Sequence, residues 1–485
     1  MQNTVKKISV KTLDHIQAAS THIELYKISP SVINRQASAS VRVKISDAVE
    51  KADWHEAAEL CAELVNNSSH DTDILTIFAF SLTHIGDFER ANIICDFIYK
   101  ISDDKITYHE LIESLAILYL SKLEKKPSIN QGGIFIKLAL KFLKLQDHAK
   151  AISILKIFVD NGFCSFDVYT LLGDLYTEVK SAENAIEAYT KATEIIPGHA
   201  YPFTKKAVLE FRLDHGEAIE SRKINENASC VQLEYLGADG RFGNQLLQYA
   251  LGYLCAEKLN FELRTSDWIG RDLFGLDDPY TEQTSKKPTI PENEVLDLIN
   301  GRITINTTVS IKGYFCGSTS DWSCGKKTFR KIFKPSDKIL KWSSLALAKL
   351  KSEKNTIIAI HLRRGDFGSD KFWIAPSKWY LDWLKTIWTK AHNPLLYIAT
   401  DDTTTLKEFQ AYRPLKAIDI CKPLHGAEFF LDHWIMQNSD ILATSNSTFS
   451  ITAALLNNNA ESLWRPDPKT TTIRQFSPWE EPILI

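Results

Sequence analysis

The chain has 485 residues and a mass of 55.0 kDa, with 44% apolar and 24% charged residues. That is enough for roughly two to three domain cores, and it excludes a lone small module and a largely disordered chain. With 57 basic against 60 acidic residues, the formal charge of -3 provides no overall field for a polyanion, so any anion must be met by a local basic cluster and no nucleic-acid partner is expected.

At the N-terminus Lys6, Lys7 and Lys11 precede no apolar core, and no run of 18 apolar residues follows anywhere. No secretory signal or transmembrane segment is read, and a cytoplasmic location is expected, with peripheral attachment to the cytoplasmic membrane face left open. The eight cysteines are scattered without a close pair, which fits reduced core residues better than disulfides or zinc ligands.

From about 166 to 199 the residues Tyr169, Leu172, Gly173, Tyr176, Ala182, Ala185, Tyr189, Ala192 and Pro197 resemble the tetratricopeptide repeat at almost every signature position. Ala151 precedes Ala185 by 34 residues, and Ala57 precedes Ala91 by the same distance, with Trp54 and Phe88 each three residues upstream. Four helix pairs can therefore be placed. The distance from Ala91 to Ala151 is 60, and Gln131, Gly132 and Gly133 break the rhythm, so one pair there is shortened or its turn altered. A last pair is expected around Tyr201 to Arg222. Such an array stacks into a solenoid that binds a protein partner, self-associates or serves as a packing platform, and the repeat tyrosines are read as inter-helix core. Residues 1 to about 45 read as mixed helix and turn.

After Glu226 the pattern changes to apolar runs with turns. A strand at Val231–Leu236 leads through Gly237, Gly240, Arg241, Gly243 and Asn244 into a helix carrying Leu246, Leu247, Tyr249 and Ala250. A strand, glycine turn and helix N-terminus can cradle a phosphate, or form a plain tight turn. A buried strand at Asn355–Ile360 ends in His361, Arg363, Arg364 and Asp366, where a parallel sheet delivers its ligand-binding residues, so one arginine is expected to clamp phosphate. A helix at Trp379–Trp388 and a strand at Pro394–Ala399 follow, the latter ending in Asp401 and Asp402, read as helix caps rather than metal ligands. A helix at Phe429–Gln437 and a strand at Ile441–Thr444 lead to the polar turn Ser445, Asn446, Ser447, Thr448, Phe449 and Ser450, a second anion cradle.

These pieces in this order resemble the GDP-fucose-dependent fucosyltransferase superfamily. GRFGNQLLQYA at 240–250 is similar to the opening motif of the alpha-1,2 family and, in its first six residues, to that of protein O-fucosyltransferases. IHLRRGDF at 360–367 resembles the alpha-1,2 and alpha-1,6 branches, YIATDD at 397–402 the alpha-1,6 enzymes, and Gly313 to Phe315, Asp432, Met436 and NSTFS at 446–450 complete the alpha-1,2 pattern. Ile451 and Thr452 stand where that family usually has paired tryptophans, and Ser439 where it often has cysteine.

The resemblance implies a multidomain chain. A tetratricopeptide-like, all-α array over 1–228 is followed by an α/β GT-B fold with two Rossmann-like lobes, an acceptor-side lobe at 229–340 and a GDP-sugar lobe at 341–485. It implies inverting, metal-independent transfer of fucose from GDP-fucose to a hydroxyl of a glycan or glycoconjugate, alpha-1,2-like, with no cofactor required. Another nucleotide sugar, a protein acceptor, or a repeat adaptor with an inactive transferase domain remain open. By the same resemblance Arg363 holds the beta-phosphate, Arg364 supports it, His361 and Asp432 read guanine, and Asn244 reaches the diphosphate or reacting centre. Arg241, Gly243, Asn446, Ser447, Thr448 and Phe449 complete the nucleotide site. Asp370 is the candidate base, ahead of Asp366 and Glu428. About 257 residues are compact for two nucleotide-fold lobes, and the final tail is left to pack back across the first.

Overall fold

The computed structural model describes residues 39–66, 71–101, 105–122, 132–216, 220–281, 288–351, 355–368 and 372–485. Most of the N-terminal stretch read as mixed helix and turn lies outside them. The chain divides into two units, Met1–Ile196 and Pro197–Ile485.

In the first unit, helices α1 (Ala39–Glu50), α2 (Trp54–Asn66), α3 (Thr72–His84) and α4 (Phe88–Ile101) form two hairpins. Then come α5 (Lys105–Lys122), α6 (Gly132–Lys144), α7 (His148–Asp160), α8 (Phe166–Glu178) and α9 (Ala182–Ile195). The alanines that set the sequence period lie on α2, α4, α7 and α9 and are buried, because only a small side chain lets paired helices approach closely. Left-handed residues close the hairpins at Ala52, Gly86, Gln146 and Lys180, and these carry the same 34-residue spacing within each half. Where the spacing lengthens to 60, the described residues hold a single 18-residue helix, α5, between α4 and α6. Asp71, Asp147 and Ser165 cap α3, α7 and α8 by accepting backbone N–H groups.

Tyr189 packs its ring over Gly173 and donates to Asp174 Oδ1 at 2.7 Å. A Cβ at Gly173 would lie 2.4 Å from that ring. Gly173→Ala is therefore expected to destabilise this unit by about 1–3 kcal/mol, whereas Gly133→Ala, with nothing within 4 Å, should leave a thermal melt almost unchanged.

The second unit opens with α10 (Ala200–His215), the helix that the repeat spacing groups with the array. Its Arg212 makes bidentate bonds to Asp267 at 2.7 and 2.8 Å and further bonds to Asp272, and Thr204 donates to the Gly237 carbonyl, so α10 is fastened to the α/β part. Next come β1 (Cys230–Leu233), α11 (Phe242–Leu259), β2 (Glu262–Thr265), α12 (Ile269–Phe274), β3 (Thr289–Ile290), α13 (Glu292–Ile299) and β4 (Val309–Ile311). The four strands make a parallel sheet in the order β2-β1-β4-β3. Strands of two to four residues explain why this lobe was faint in the sequence.

Helices α14 (Lys326–Ile332) and α15 (Asp337–Leu350) lead to the second lobe. It comprises β5 (Thr356–Leu362), α16 (Ser377–Trp388), β6 (Pro394–Thr400), α17 (Ala417–Ile420), α18 (Phe429–Gln437), β7 (Ile441–Ala443), α19 (Thr448–Leu456), β8 (Ser462–Asp467) and β9 (Thr472–Gln475). The sheet order is β6-β5-β7-β8-β9, parallel except for the β8–β9 hairpin. β5 is buried from Ile357 to Leu362, as a near-continuous apolar run covered on both faces should be. Two parallel α/β lobes after a helical repeat array constitute the two-lobed GT-B architecture.

The tail returns to the first lobe. Thr319 Oγ1 bonds the Pro478 and Glu481 carbonyls at 2.8 and 2.9 Å, and Trp479 meets Trp322 and Phe329 edge-on. Cys61, Cys95, Cys230 and Cys255 are buried, but Cys164 and Cys324 are exposed, so the scattered cysteines are not all core. No helix among the described residues is long and apolar enough to cross a membrane.

Candidate active site between the two lobes

In the second lobe the chain leaves β5 for β6 on one side and later enters β7 on the other, so the β5/β7 boundary is where the winding reverses. Ligands of open parallel sheets bind at the carboxyl ends there. His361, the penultimate residue of β5, is 4% exposed, and its Nδ1 lies 2.8 Å from Ser445 Oγ across that boundary. Its ring sits 5.3 Å from Phe449. Burial first, then the charges of Arg363 and Arg364, push its pKa down to about 3, so the imidazole is neutral throughout the physiological range.

Beyond the strand, Arg363 forms an ion pair with Asp401 Oδ2 at 3.0 Å and donates to Asp366, and its Nε is buried without a partner among the described residues. Asp401 also accepts the backbone N–H of Arg364 at 2.8 Å and of Gly365 at 3.0 Å. It therefore braces the arginine turn rather than capping a helix, correcting the sequence expectation, while Asp402 does cap the 3-10 turn at Thr403–Tyr412 through Thr404 N–H. Arg364 reaches Ser377 Oγ at 3.3 Å, and the Arg363 guanidinium lies 5.3 Å from the Phe367 ring centroid.

The first lobe supplies the opposing cation. Arg241 precedes α11, with its guanidinium 3.6 Å from Asp366 Oδ2 and 5.1 Å from the Phe203 ring centroid. Burial, then the nearby Arg363 charge, lower its pKa. Asp366 thus sits between an arginine from each lobe, and the two guanidiniums repel one another. Phe203 belongs to α10, which also holds the glycine turn through Thr204, so α10 buttresses the site.

Phe242 enters the second lobe and meets Phe429, Phe430, His433 and Phe449. Gly243 lies so close to the first turn of α19 that a Cβ there would stand 2.5 Å from Phe449 N, and its missing side chain permits the lobes to meet. Asn244 packs against Gly240. Ser447 caps α19 by accepting Phe449 N–H at 3.4 Å, and Thr448 begins the helix. The Asn446 amide pairs with the Ile485 backbone, donating at 2.9 Å and accepting at 2.9 Å.

Asp432 accepts a hydrogen bond from Tyr397, a partnership that sequence spacing did not reveal. Burial raises its carboxyl from 3.8 to about 6, opposed by that bond. His433 donates to or accepts from Thr452 at 3.1 Å, and burial lowers its pKa to about 3. Asp370 lies outside the described residues. Glu428 is exposed and accepts Gly426 N–H at 3.0 Å. No cluster of three His, Cys, Asp or Glu side chains suited to a metal ion occurs among the described residues.

Residues 166–199 match the tetratricopeptide repeat family. No curated protein matches the chain. Among solved structures it is similar to fucosyltransferase NodZ from Bradyrhizobium, at 16% identity over 53% of this chain and 100% of that one, with a TM-score of 0.37. NodZ alpha-1,6-fucosyltransferase co-crystallized with GDP gives 15% identity over 52% and 99%, also at 0.37. The crystal structure of MamA protein is similar at 14% over 37% and 84%, with a TM-score of 0.20. At these identities the chemistry of the site rests on its own residues.

Proposed function

We propose that the second unit is a metal-independent, inverting glycosyltransferase that moves fucose from GDP-fucose to a glycan hydroxyl, with alpha-1,2-like regiochemistry. The observation that carries this reading is Arg363: a braced guanidinium at the end of a buried parallel strand, with one buried N–H unmet and a second arginine facing it. Two guanidiniums held together repel, and a diphosphate between them relieves that repulsion while taking up the unmet donor. The neutral His361 ring beside Phe449 at the adjacent crevice suits a base edge, Asp432 is assigned to that edge by the resemblance alone, and the IHLRRGDF and NSTFS motifs support guanine and fucose over other pairs.

In the reaction the bond from the sugar anomeric carbon to the beta-phosphate oxygen breaks, and its electron pair stays on GDP. The acceptor oxygen bonds the anomeric carbon from the opposite face and releases its proton to a base or solvent. Charge grows on the leaving oxygen, and donors already fixed there by Asp401 stabilise the transition state more than the ground state. Asp366, paired with both arginines, acts as their counter-ion rather than as the base.

The Asp432 carboxyl provides the test. In its ionised form it accepts from the guanine N–H groups, and it loses that ability when protonated. GDP affinity should hold above about pH 6 and fall by up to about tenfold per unit below it, while His361 stays neutral. A pKa raised on folding favours the fold below 3.8, and this contribution is lost as pH rises through about 6. Asp432→Asn should therefore bind GDP weakly without that pH dependence, yet melt at a higher temperature at neutral pH. Titration calorimetry across the range decides, and a flat affinity profile for the parent chain contradicts the assignment.

A further inference from the structure

The basic residues of this near-neutral chain are unevenly spread. Between Lys326 and Lys351 nine of them stand against one acid, Asp337, although the formal charge of the whole chain is -3. Arg330 is engaged inside the fold, donating to the Leu455 and Asn457 carbonyls at 3.3 and 3.2 Å, and Lys351 pairs with Asp440 at 3.7 Å. Lys327, Lys331, Lys334 and Lys341 are exposed and have no carboxylate partner among the described residues. Like charges gathered on one segment repel one another until an anion meets them.

The same segment presents apolar groups to water. Lys338, Lys341, Leu345 and Lys349 are all exposed on α15, at the three- and four-residue spacing of a single helical stripe. Lys338 Nζ donates at 2.9 Å to the carbonyl of His215, the last residue of α10, and Lys349 Nζ donates at 2.8 Å to that of Ile420, the last residue of α17, which packs against α15. Leu213 and Ile418 each lie two residues before those carbonyls. Leu345, Ile418 and Leu213 are 62%, 58% and 52% exposed, the three most exposed large apolar side chains among the described residues of the second unit, and all three gather around α15. The acids nearest to them have other partners: Asp214 stands 3.4 Å from His425, and Asp419 accepts the Lys416 N–H at 3.0 Å.

We propose that α15, with the lysines that lead into it, is a docking face for an anionic lipid bilayer. The ammonium groups meet the headgroup phosphates, and Leu345, Ile418 and Leu213 enter the boundary between headgroups and acyl chains. Reversible attachment to a membrane surface takes two signals, a basic cluster and a modest apolar insertion, and both occur here on adjoining elements. A nucleic-acid duplex would meet the lysines but leave three aliphatic side chains in water. An apolar protein groove would cover the aliphatic groups but strip water from ammonium groups without pairing them. A charged lipid surface accommodates both. This face lies outside the arginine cluster, and the proposal does not depend on the transfer reaction.

The test sediments the full chain with vesicles of phosphatidylcholine alone and with vesicles of equal parts phosphatidylcholine and phosphatidylglycerol, at low and at raised salt, with a labelled DNA duplex as a competing probe. The chain should sediment with the phosphatidylglycerol vesicles, stay behind with phosphatidylcholine, and be released by salt. Lys331→Gln, Lys334→Gln and Lys341→Gln combined should weaken partitioning about a hundredfold, at about fivefold per lysine. Leu345→Ser combined with Ile418→Ser should weaken it about tenfold with the charge unchanged, a loss that a purely electrostatic contact would not show. All five positions are exposed, and thermal melts verify the fold; if a variant melts early, the lipid and salt comparison on the parent chain still decides. No sedimentation with phosphatidylglycerol, equal sedimentation with both lipids, full binding by either variant, or capture of the duplex with the vesicles left unbound overturns the proposal.

Discussion

Arg363→Ala is expected to lower kcat for transfer by about 10²–10³-fold, the loss seen when one fixed donor to a developing oxyanion is removed. The side chain is 16% exposed and held by Asp401 and Asp366, so its charge acts in a partly dry setting where each interaction is stronger than in water. KM for the donor should change far less than kcat, since the interaction strengthens as the anomeric bond breaks. Arg363→Lys should recover little, because a point charge cannot reproduce the forked contacts to both carboxylates and a phosphate. Initial rates, with circular dichroism to verify the fold, check this. A variant that folds and retains full kcat contradicts the role.

The second large effect is expected at Gly243. A Cβ would lie 2.5 Å from Phe449 N and 2.6 Å from the Thr448 carbonyl carbon, both backbone atoms that cannot rotate aside. Gly243→Ala must therefore push α11 away from α19 and loosen the Phe242 contacts with the second lobe. Overpacking of this kind costs about 1–3 kcal/mol or more. A displacement near 1 Å between opposing arginines costs about 10² in rate. Gly317→Ala, where nothing lies within 4 Å, is the control. Thermal melts and kcat/KM for the pair would separate the two positions, and equal behaviour would remove the claim that Gly243 sets the lobe contact.

Long periodic features were legible because they repeat or bury a whole face. The alanine spacing located the helix pairs, and the apolar run at 355–360 located β5, observed at Thr356–Leu362, whose carboxyl end carries His361 and the arginines. What the sequence hid depended on partners distant in the chain. Asp401 reads as a cap beside Thr403, yet its carboxylate turns back to backbone N–H groups 36 and 37 residues earlier. Arg212 reads as the end of a repeat, yet it fastens α10 to Asp267 and Asp272, so that helix supports the α/β unit. The hairpin turns at Ala52, Gln146 and Lys180 adopt positive φ without glycine and left no compositional mark. A truncation meant to isolate the α/β unit should therefore begin at Pro197, because removal of α10 would take away Thr204 and Phe203.

The central claim is donor chemistry without a metal, and the most direct measurement is release of free GDP by the full chain from GDP-fucose, with GDP-mannose and a UDP-sugar in parallel, each with and without EDTA. The account predicts turnover of GDP-fucose ahead of the others and an unchanged rate in EDTA. Failure to turn over GDP-fucose, preference for another donor, or a rate abolished by chelation would contradict it.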